Sequence, residues 1–96
     1  MISNDIVGKV RSIASEMREI IERFTLGVNE AETTEQINQL ADEAIGLSDY
    51  HDYIFEKCNV IRSLASSFKS VKDHRKEREQ ILDTISKLEN WQPQNP

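Results

Sequence analysis

The chain has 96 residues, of which 38% are hydrophobic and 30% charged, and its formal net charge is −5. This length allows one domain at most, and the three glycines and two prolines exclude collagen-like and glycine- and proline-rich disordered chains. No apolar run approaches the roughly 20 residues that span a bilayer, and no signal peptide is recognisable. A single cysteine, Cys58, is typical of a reducing compartment. We therefore expect a cytoplasmic protein.

The first predicted helix covers residues 2–28. Asn4 or Asp5 is expected to cap its start and Gly27 its end. Its apolar residues recur in alternating steps of four and three, the spacing of a coiled-coil stripe, at Ile6, Val10, Ile13, Met17, Ile20 and Phe24.

The second helical segment begins at a predicted capping box formed by Thr33 and Gln36. Its apolar spacing is the most regular in the chain and includes Ile37, Leu40, Ala44, Leu47, His51, Ile54, Cys58, Ile61, Ala65 and Phe68. Two interpretations stay open. Residues 34–69 form one long helix, as the unbroken phase suggests, or Gly46 ends a first helix and Ser48 or Asp49 caps a second. The usual helix length of about 11–12 residues favours the break.

The last predicted helix covers residues 71–90 and starts at a box-like sequence that begins with Ser70. The apolar spacing slips by one residue before it, which we interpret as a turn near residues 67–71. Trp91 is expected to pack on the bundle, and residues 92–96 are expected to be a disordered tail.

These segments predict an all-α fold, with residues 1–91 forming one antiparallel bundle of three or four helices. Each helix has one apolar and one charged face, so each must pack against another helix. Homodimerisation is expected to cover the outer edges of the apolar stripes.

The charges are segregated along the chain. Eight acidic residues between Glu30 and Glu56 are interrupted by no Lys or Arg, whereas Lys57–Arg78 contains seven basic and two acidic residues. In one interpretation the two segments lie side by side, and their attraction selects the orientation of the helices while adding only about 0–1 kcal/mol per exposed pair. In the other, the acidic segment binds a basic partner and accelerates its association.

Aromatic residues lie within this acidic segment, where Tyr50, Tyr53 and Phe55 occur close together. Tyrosine is enriched at protein interfaces. The predicted partner-binding residues are Asp42, Glu43, Asp49, Tyr50, Asp52, Tyr53 and Glu56.

His51 occupies a core position of the long apolar pattern, and the simplest interpretation is a buried or half-buried ring bonded to a neighbouring helix. The segment from residue 51 to 62 also resembles the phospho-acceptor helix of sensor histidine kinases, in which a His and an acidic residue precede an Asn and an apolar pair. His51 and Asp52 match the first part, and Asn59 lies one residue further along than in that family. The resemblance implies phosphotransfer through His51, which requires an exposed ring.

Two further alternatives rest on charged residues. Glu16 and Glu19, with Asp49 and Asp52, have the spacing at which some helical pyrophosphatases bind Mg²⁺, although this spacing is common in acidic helices. The basic run Lys69–Arg78 suits nucleic-acid phosphates, but the pI of about 5.0 does not favour that function. The function we expect is that of an acidic interaction module, such as an inhibitor, adaptor or immunity-type protein, without enzymatic activity, metal or cofactor.

Overall fold

The computed structural model of the chain describes residues 3–25, 27–69 and 73–92. Its helices are α1 (Asn4–Glu22), α2 (Glu30–Leu47), α3 (Asp52–Ser66) and α4 (Arg75–Glu89), and a short 3₁₀ turn at Ser67–Lys69 follows α3. No strand occurs within the described ranges. The all-α prediction is therefore confirmed, with four helices.

The four helices form a closed ring in which each packs against two others. α1 contacts α2 and α4, and α3 contacts the same two helices. The α1–α4 pair is antiparallel, because Arg11 near the start of α1 donates to the carbonyl of Trp91 after the end of α4, whereas Arg78 near the start of α4 donates to the carbonyl of Glu22. The order is that of an up-down-up-down bundle.

The core contains the apolar faces of all four helices. Met17, Ile37, Ile61 and Ile85 are fully buried, and each buried side chain of this size contributes about 1.5–3 kcal/mol relative to an exposed one. Cys58 is also buried, and desolvation raises the pKa of its thiol to about 11, so the neutral thiol packs as a small apolar group.

The long apolar pattern is divided between two helices, so the two-helix interpretation is correct. α2 continues through Gly46 to Leu47, and the following turn carries Asp49 and Tyr50 at positive φ angles of 52° and 58°. Four residues separate Leu47 from Asp52, close to the 3.6 residues of one helical turn, and the pattern therefore resumes in phase.

The predicted caps of this break, Ser48 and Asp49, are wrong. The Ser48 hydroxyl donates back to the carbonyl of Ile45 at 3.1 Å, so it belongs to the end of α2. His51 caps α3 instead, because its Nδ1 accepts from the backbone N–H of Tyr53 at 3.3 Å.

The predicted ends of α1 also need correction. Ser3, not Asn4 or Asp5, caps α1, since its hydroxyl oxygen accepts from the backbone N–H of Ile6. The helix ends at Glu22, so Gly27 is not its cap and lies instead in the following turn at a φ of 79°.

α2 begins at Glu30, three residues before the predicted capping box. Asn29 Oδ1 accepts from the N–H of Thr25 at 2.8 Å, and the Glu30 carboxylate accepts from Gly27 at 2.6 Å. These side chains fix the turn early, which leaves Thr33 buried inside the helix rather than at its start.

α4 begins at Arg75, four residues later than predicted, and Asp73 accepts from its first backbone N–H at 3.1 Å. The expected start at Ser70 lies outside the described residues. Trp91 is buried, as predicted, whereas of the expected tail only Gln92, which is exposed, is within the described residues.

A charged pair joins α1 to α4 beside the core. The Arg18 guanidinium donates to the Glu89 carboxylate at 2.7 and 3.0 Å and to the Ser86 hydroxyl at 2.6 Å. The hydrogen bonds from Arg18 lower the pKa of Glu89, and Ser15 adds a weaker contribution. The pair selects the register of two helices that are far apart in sequence.

We expect Ile61→Ala to destabilise the chain by about 2–5 kcal/mol, because it leaves a cavity in the core. The adjacent Val60 is 40% exposed, so Val60→Ala is a matched control with an expected cost below about 1 kcal/mol. Chemical denaturation measures both. Equal costs for the two variants would contradict this core.

We expect Glu89→Gln to destabilise the chain at neutral pH by up to about 2 kcal/mol, reduced by the partial exposure of the pair. Because folding lowers the pKa of Glu89, its contribution is present above the ordinary carboxyl pKa and is lost as pH falls through the lowered value. The loss of unfolding free energy in Glu89→Gln, measured by urea unfolding, should therefore be larger at pH 7 than at pH 3. A cost that does not depend on pH would contradict the ionic contact.

Candidate interaction surface

The turn between α2 and α3 and the first turn of α3 together expose an aromatic pair at one end of the bundle. Tyr50 is 66% exposed and Phe55 is 43% exposed, and their ring centroids lie 6.2 Å apart in a tilted arrangement. Large exposed aromatic side chains are enriched at interfaces, where they bury much area at low cost in conformational entropy.

The backbone of this turn is strained where it carries the aromatic ring. Asp49 and Tyr50 both adopt the left-handed region, which aspartate tolerates but which is rare for tyrosine. The strained conformation persists because the N–H of Tyr50 donates to the carbonyl of Ile45 at 3.0 Å and closes the end of α2. Strain of this kind is concentrated at functional sites, so the turn is a candidate site.

Carboxylates surround the aromatic pair. Asp52 and Glu56 lie one helical turn apart on α3, on the side from which Phe55 projects, and Asp49 precedes Tyr50 in the turn. Asp49 and Asp52 are exposed, and neither forms an ion pair with any part of the chain that the structure describes. Glu56 pairs only with its neighbour Lys57, at 3.5 Å. We call these five residues the corner surface: Asp49, Tyr50, Asp52, Phe55 and Glu56.

Three of the predicted partner-binding residues lie away from the corner surface. Tyr53 is half-buried against the core, with the Lys57 ammonium 5.2 Å from its ring centroid. Asp42 faces α3 and accepts from Arg62 at 2.9 Å. Glu43 lines a groove between α1 and α2, so two adjacent acidic residues point toward different helices.

The corner surface gains Phe55, which the prediction of binding residues left out. Phe55 lies three residues after Asp52 and one before Glu56, and it is exposed at the flank of the α3 face that buries Ile54 and Cys58. Phe55 does not belong to the 3–4 spacing of the core residues. A large aromatic residue outside that spacing is the sequence signal that could have identified Phe55 as exposed.

Apart from the chain neighbours Glu56 and Lys57, one ion pair within the described residues joins the two charge segments. Arg62 on α3 contacts Asp42 and also donates to Asn38 Oδ1 at 3.3 Å, which joins the basic to the acidic segment. This contact is what the first interpretation of the charges predicts. The carboxylates of the corner surface take no part in it.

His51 lies beneath the corner surface and is half-buried. Its ring packs edge-on against Trp91 at 5.3 Å, and its only hydrogen bond within the described chain goes to the backbone of its own helix. The predicted half-buried ring is confirmed, while the predicted bond to a neighbouring helix is wrong. Because Nδ1 caps α3, this atom is occupied in the folded chain.

The residues proposed for Mg²⁺ or nucleic-acid binding are distributed over several elements. Within the described residues, no group of three or more His, Cys, Asp or Glu side chains is arranged to hold a metal ion. In the basic run, Arg75 pairs with Asp73 at 3.7 Å, and residues 70–72 lie outside the described ranges. None of the helices in the described chain is long and apolar enough to cross a membrane.

Comparisons of this chain with protein-family models, with curated proteins and with solved structures find no match.

We expect Tyr50→Gly to leave stability unchanged or to raise it by up to about 1 kcal/mol, because glycine adopts a positive φ without steric cost. Tyr53→Gly, the same substitution inside α3, should cost more than about 1 kcal/mol. Thermal unfolding of the two variants checks this. A large loss for Tyr50→Gly would show that the exposed ring supports the fold.

Proposed function

We propose that this chain is a protein-interaction module, of the inhibitor, adaptor or immunity type, that binds a basic protein segment through the corner surface. The observation that carries the proposal is the exposed pair formed by Tyr50 on the strained turn and Phe55 on α3, close in sequence to two carboxylates without a cationic partner in the described chain. We further propose that the protein acts in the cytoplasm, on the basis of its single cysteine.

The aromatic pair supports a role in affinity. A partner that covers both rings removes apolar area from water, at about 25 cal/mol per Å². The rings are close enough to be covered by one segment, and Tyr50 also carries a hydroxyl for a polar contact. Such residues at the centre of an interface commonly account for most of its binding free energy.

The carboxylates support a role in orientation and association rate. Asp49 and Asp52 form no ion pair within the described residues, and Glu56 is 70% exposed. A basic partner is therefore attracted before contact, and the attraction falls as salt increases. Exposed charges contribute little to final affinity, so the rate of association is the sensitive measure.

The first test selects phage-displayed random peptides on the immobilised chain. The proposal expects enriched peptides that combine Lys or Arg with an apolar residue and that lose binding to a Tyr50→Ala, Phe55→Ala variant. No enrichment, or enrichment that survives this double variant, would overturn it. Light scattering on the same sample tests the predicted homodimer, which was expected to cover the outer edges of the apolar stripes.

The second test measures association kinetics with an enriched peptide at low salt. Asp49→Lys combined with Asp52→Lys should lower the association rate by about tenfold or more. Glu32→Lys combined with Glu35→Lys, at the opposite end of α2, is the control, since both residues are exposed and the pair makes the same charge change of four units without touching the corner surface. An unchanged rate in the double variant, or an equal loss in the control, would contradict the steering role.

A further inference from the structure

The opposite end of the bundle contains a histidine that the proposed function does not use. His74 precedes α4, is only 3% exposed, and neither of its ring nitrogens has a hydrogen-bond partner within the described residues. Its ring packs against both Phe24 and Phe68, with centroid distances of 5.4 and 4.9 Å, and these two rings stack on each other at 4.5 Å. It does not cap α4, because its side chain makes no capping bond.

Unpaired buried imidazole nitrogens are unusual. A neutral imidazole has one donor and one acceptor nitrogen, and an unsatisfied buried donor costs about 1–3 kcal/mol. Buried polar groups in native proteins are nearly always paired. The two unpaired ring nitrogens of His74 therefore point to a group that binds there. Phenylalanine would fill the same aromatic position without this cost.

A hollow of about 290 Å³ adjoins this histidine. Phe24, Asp73, His74, Arg75 and Arg78 line it. Arg78 carries a second orphan, because its Nε is buried without a partner in the described chain while its Nη2 donates to the carbonyl of Glu22 at 3.3 Å. Two nitrogen-bearing side chains with free hydrogen-bonding capacity therefore border one hollow.

The surrounding charge favours an anion. The N-terminal end of α4 carries partial positive charge and lies at the same place. Arg75 and Arg78 contribute two positive charges and Asp73 one negative charge, so the lining has a formal charge of +1. The one acidic residue of the lining, Asp73, is engaged, because its carboxylate accepts from the backbone N–H of Arg75 at 3.1 Å and lies 3.7 Å from that guanidinium.

We propose that this hollow binds a small phosphate-bearing ligand. A phosphate oxygen accepts from the imidazole N–H of His74 and from Nε–H of Arg78, after a side-chain adjustment that opens these buried atoms to the hollow. The volume lies at the lower end of the range of about 300–1,000 Å³ for small-molecule sites, which suits a phosphate with a small organic group. Phe24 offers that group an apolar wall.

The test titrates the ¹⁵N-labelled chain with inorganic phosphate at constant ionic strength, followed by NMR. Saturable shifts are expected at the backbone amides of residues 73–78 and at the His74 ring nitrogens. Phenyl phosphate should bind several times more tightly than inorganic phosphate if Phe24 contacts the organic group. Sulfate separates recognition of the phosphate group from a response to any small oxyanion.

Two variants and one control decide the role of the orphaned groups. His74→Phe keeps the aromatic packing and removes the nitrogens, and Arg78→Gln removes one guanidinium; each should weaken phosphate binding about tenfold or more. Lys76→Gln makes the same charge change on a residue that lines the α3–α4 groove instead, and should change binding less than twofold.

Three outcomes would overturn the proposal: shifts that never saturate, the same shifts with chloride, or unchanged binding in His74→Phe. If His74→Phe fails to fold, the His74 ring-nitrogen shifts in the unmodified chain decide alone. If the His74 ring-nitrogen shifts do not respond to phosphate, the proposal is wrong. Since the corner surface lies at the other end of the bundle, its variants should bind phosphate normally, which separates this result from the proposed function.

Discussion

Closure of one apolar core by four short helices is the constraint on which the other features depend. A helix buries only one face against a single neighbour, and here each helix packs against two others in a ring. Helices of 15 to 19 residues are marginal alone, so their stability comes from this mutual burial. The turns at the two ends must then accept whatever backbone geometry closes the ring, including a tyrosine at positive φ.

The two ends of the bundle differ in chemistry because different elements meet there. One end joins the α2–α3 turn to the region after α4, and it exposes aromatic and acidic side chains above the His51–Trp91 contact. The other end joins the α1–α2 turn to the start of α4, where Phe24, Phe68 and His74 form a buried aromatic cluster beside two arginines. The bundle thus has two separate ends of different chemistry, for which we propose a protein segment and a small anion as ligands.

His51 and His74 show how the surroundings determine the role of a histidine side chain. His51 is half-buried and its Nδ1 accepts a backbone hydrogen bond at the start of α3. His74 also precedes a helix, but its nitrogens are buried and unpaired within the described residues. The hydrogen bond at the start of α3 explains why a histidine occupies position 51. No such bond explains the histidine at position 74, where packing alone would favour an apolar ring.

The sequence by itself determined the helical class, the apolar faces and the identity of most buried residues, because a 3–4 spacing has only one way to face a common core. It also showed both charge segments. It could not choose between one helix and two around Gly46, because a four-residue turn preserves the phase of the pattern. The caps at Ser3 and His51 are local hydrogen bonds, and adjacent polar residues offered equivalent caps in the sequence. The separation of Asp42 from Glu43 depends on contacts with different helices. Only the tertiary structure decided which of the charged and aromatic residues share a surface, because that depends on how neighbouring helices pack rather than on order along the chain.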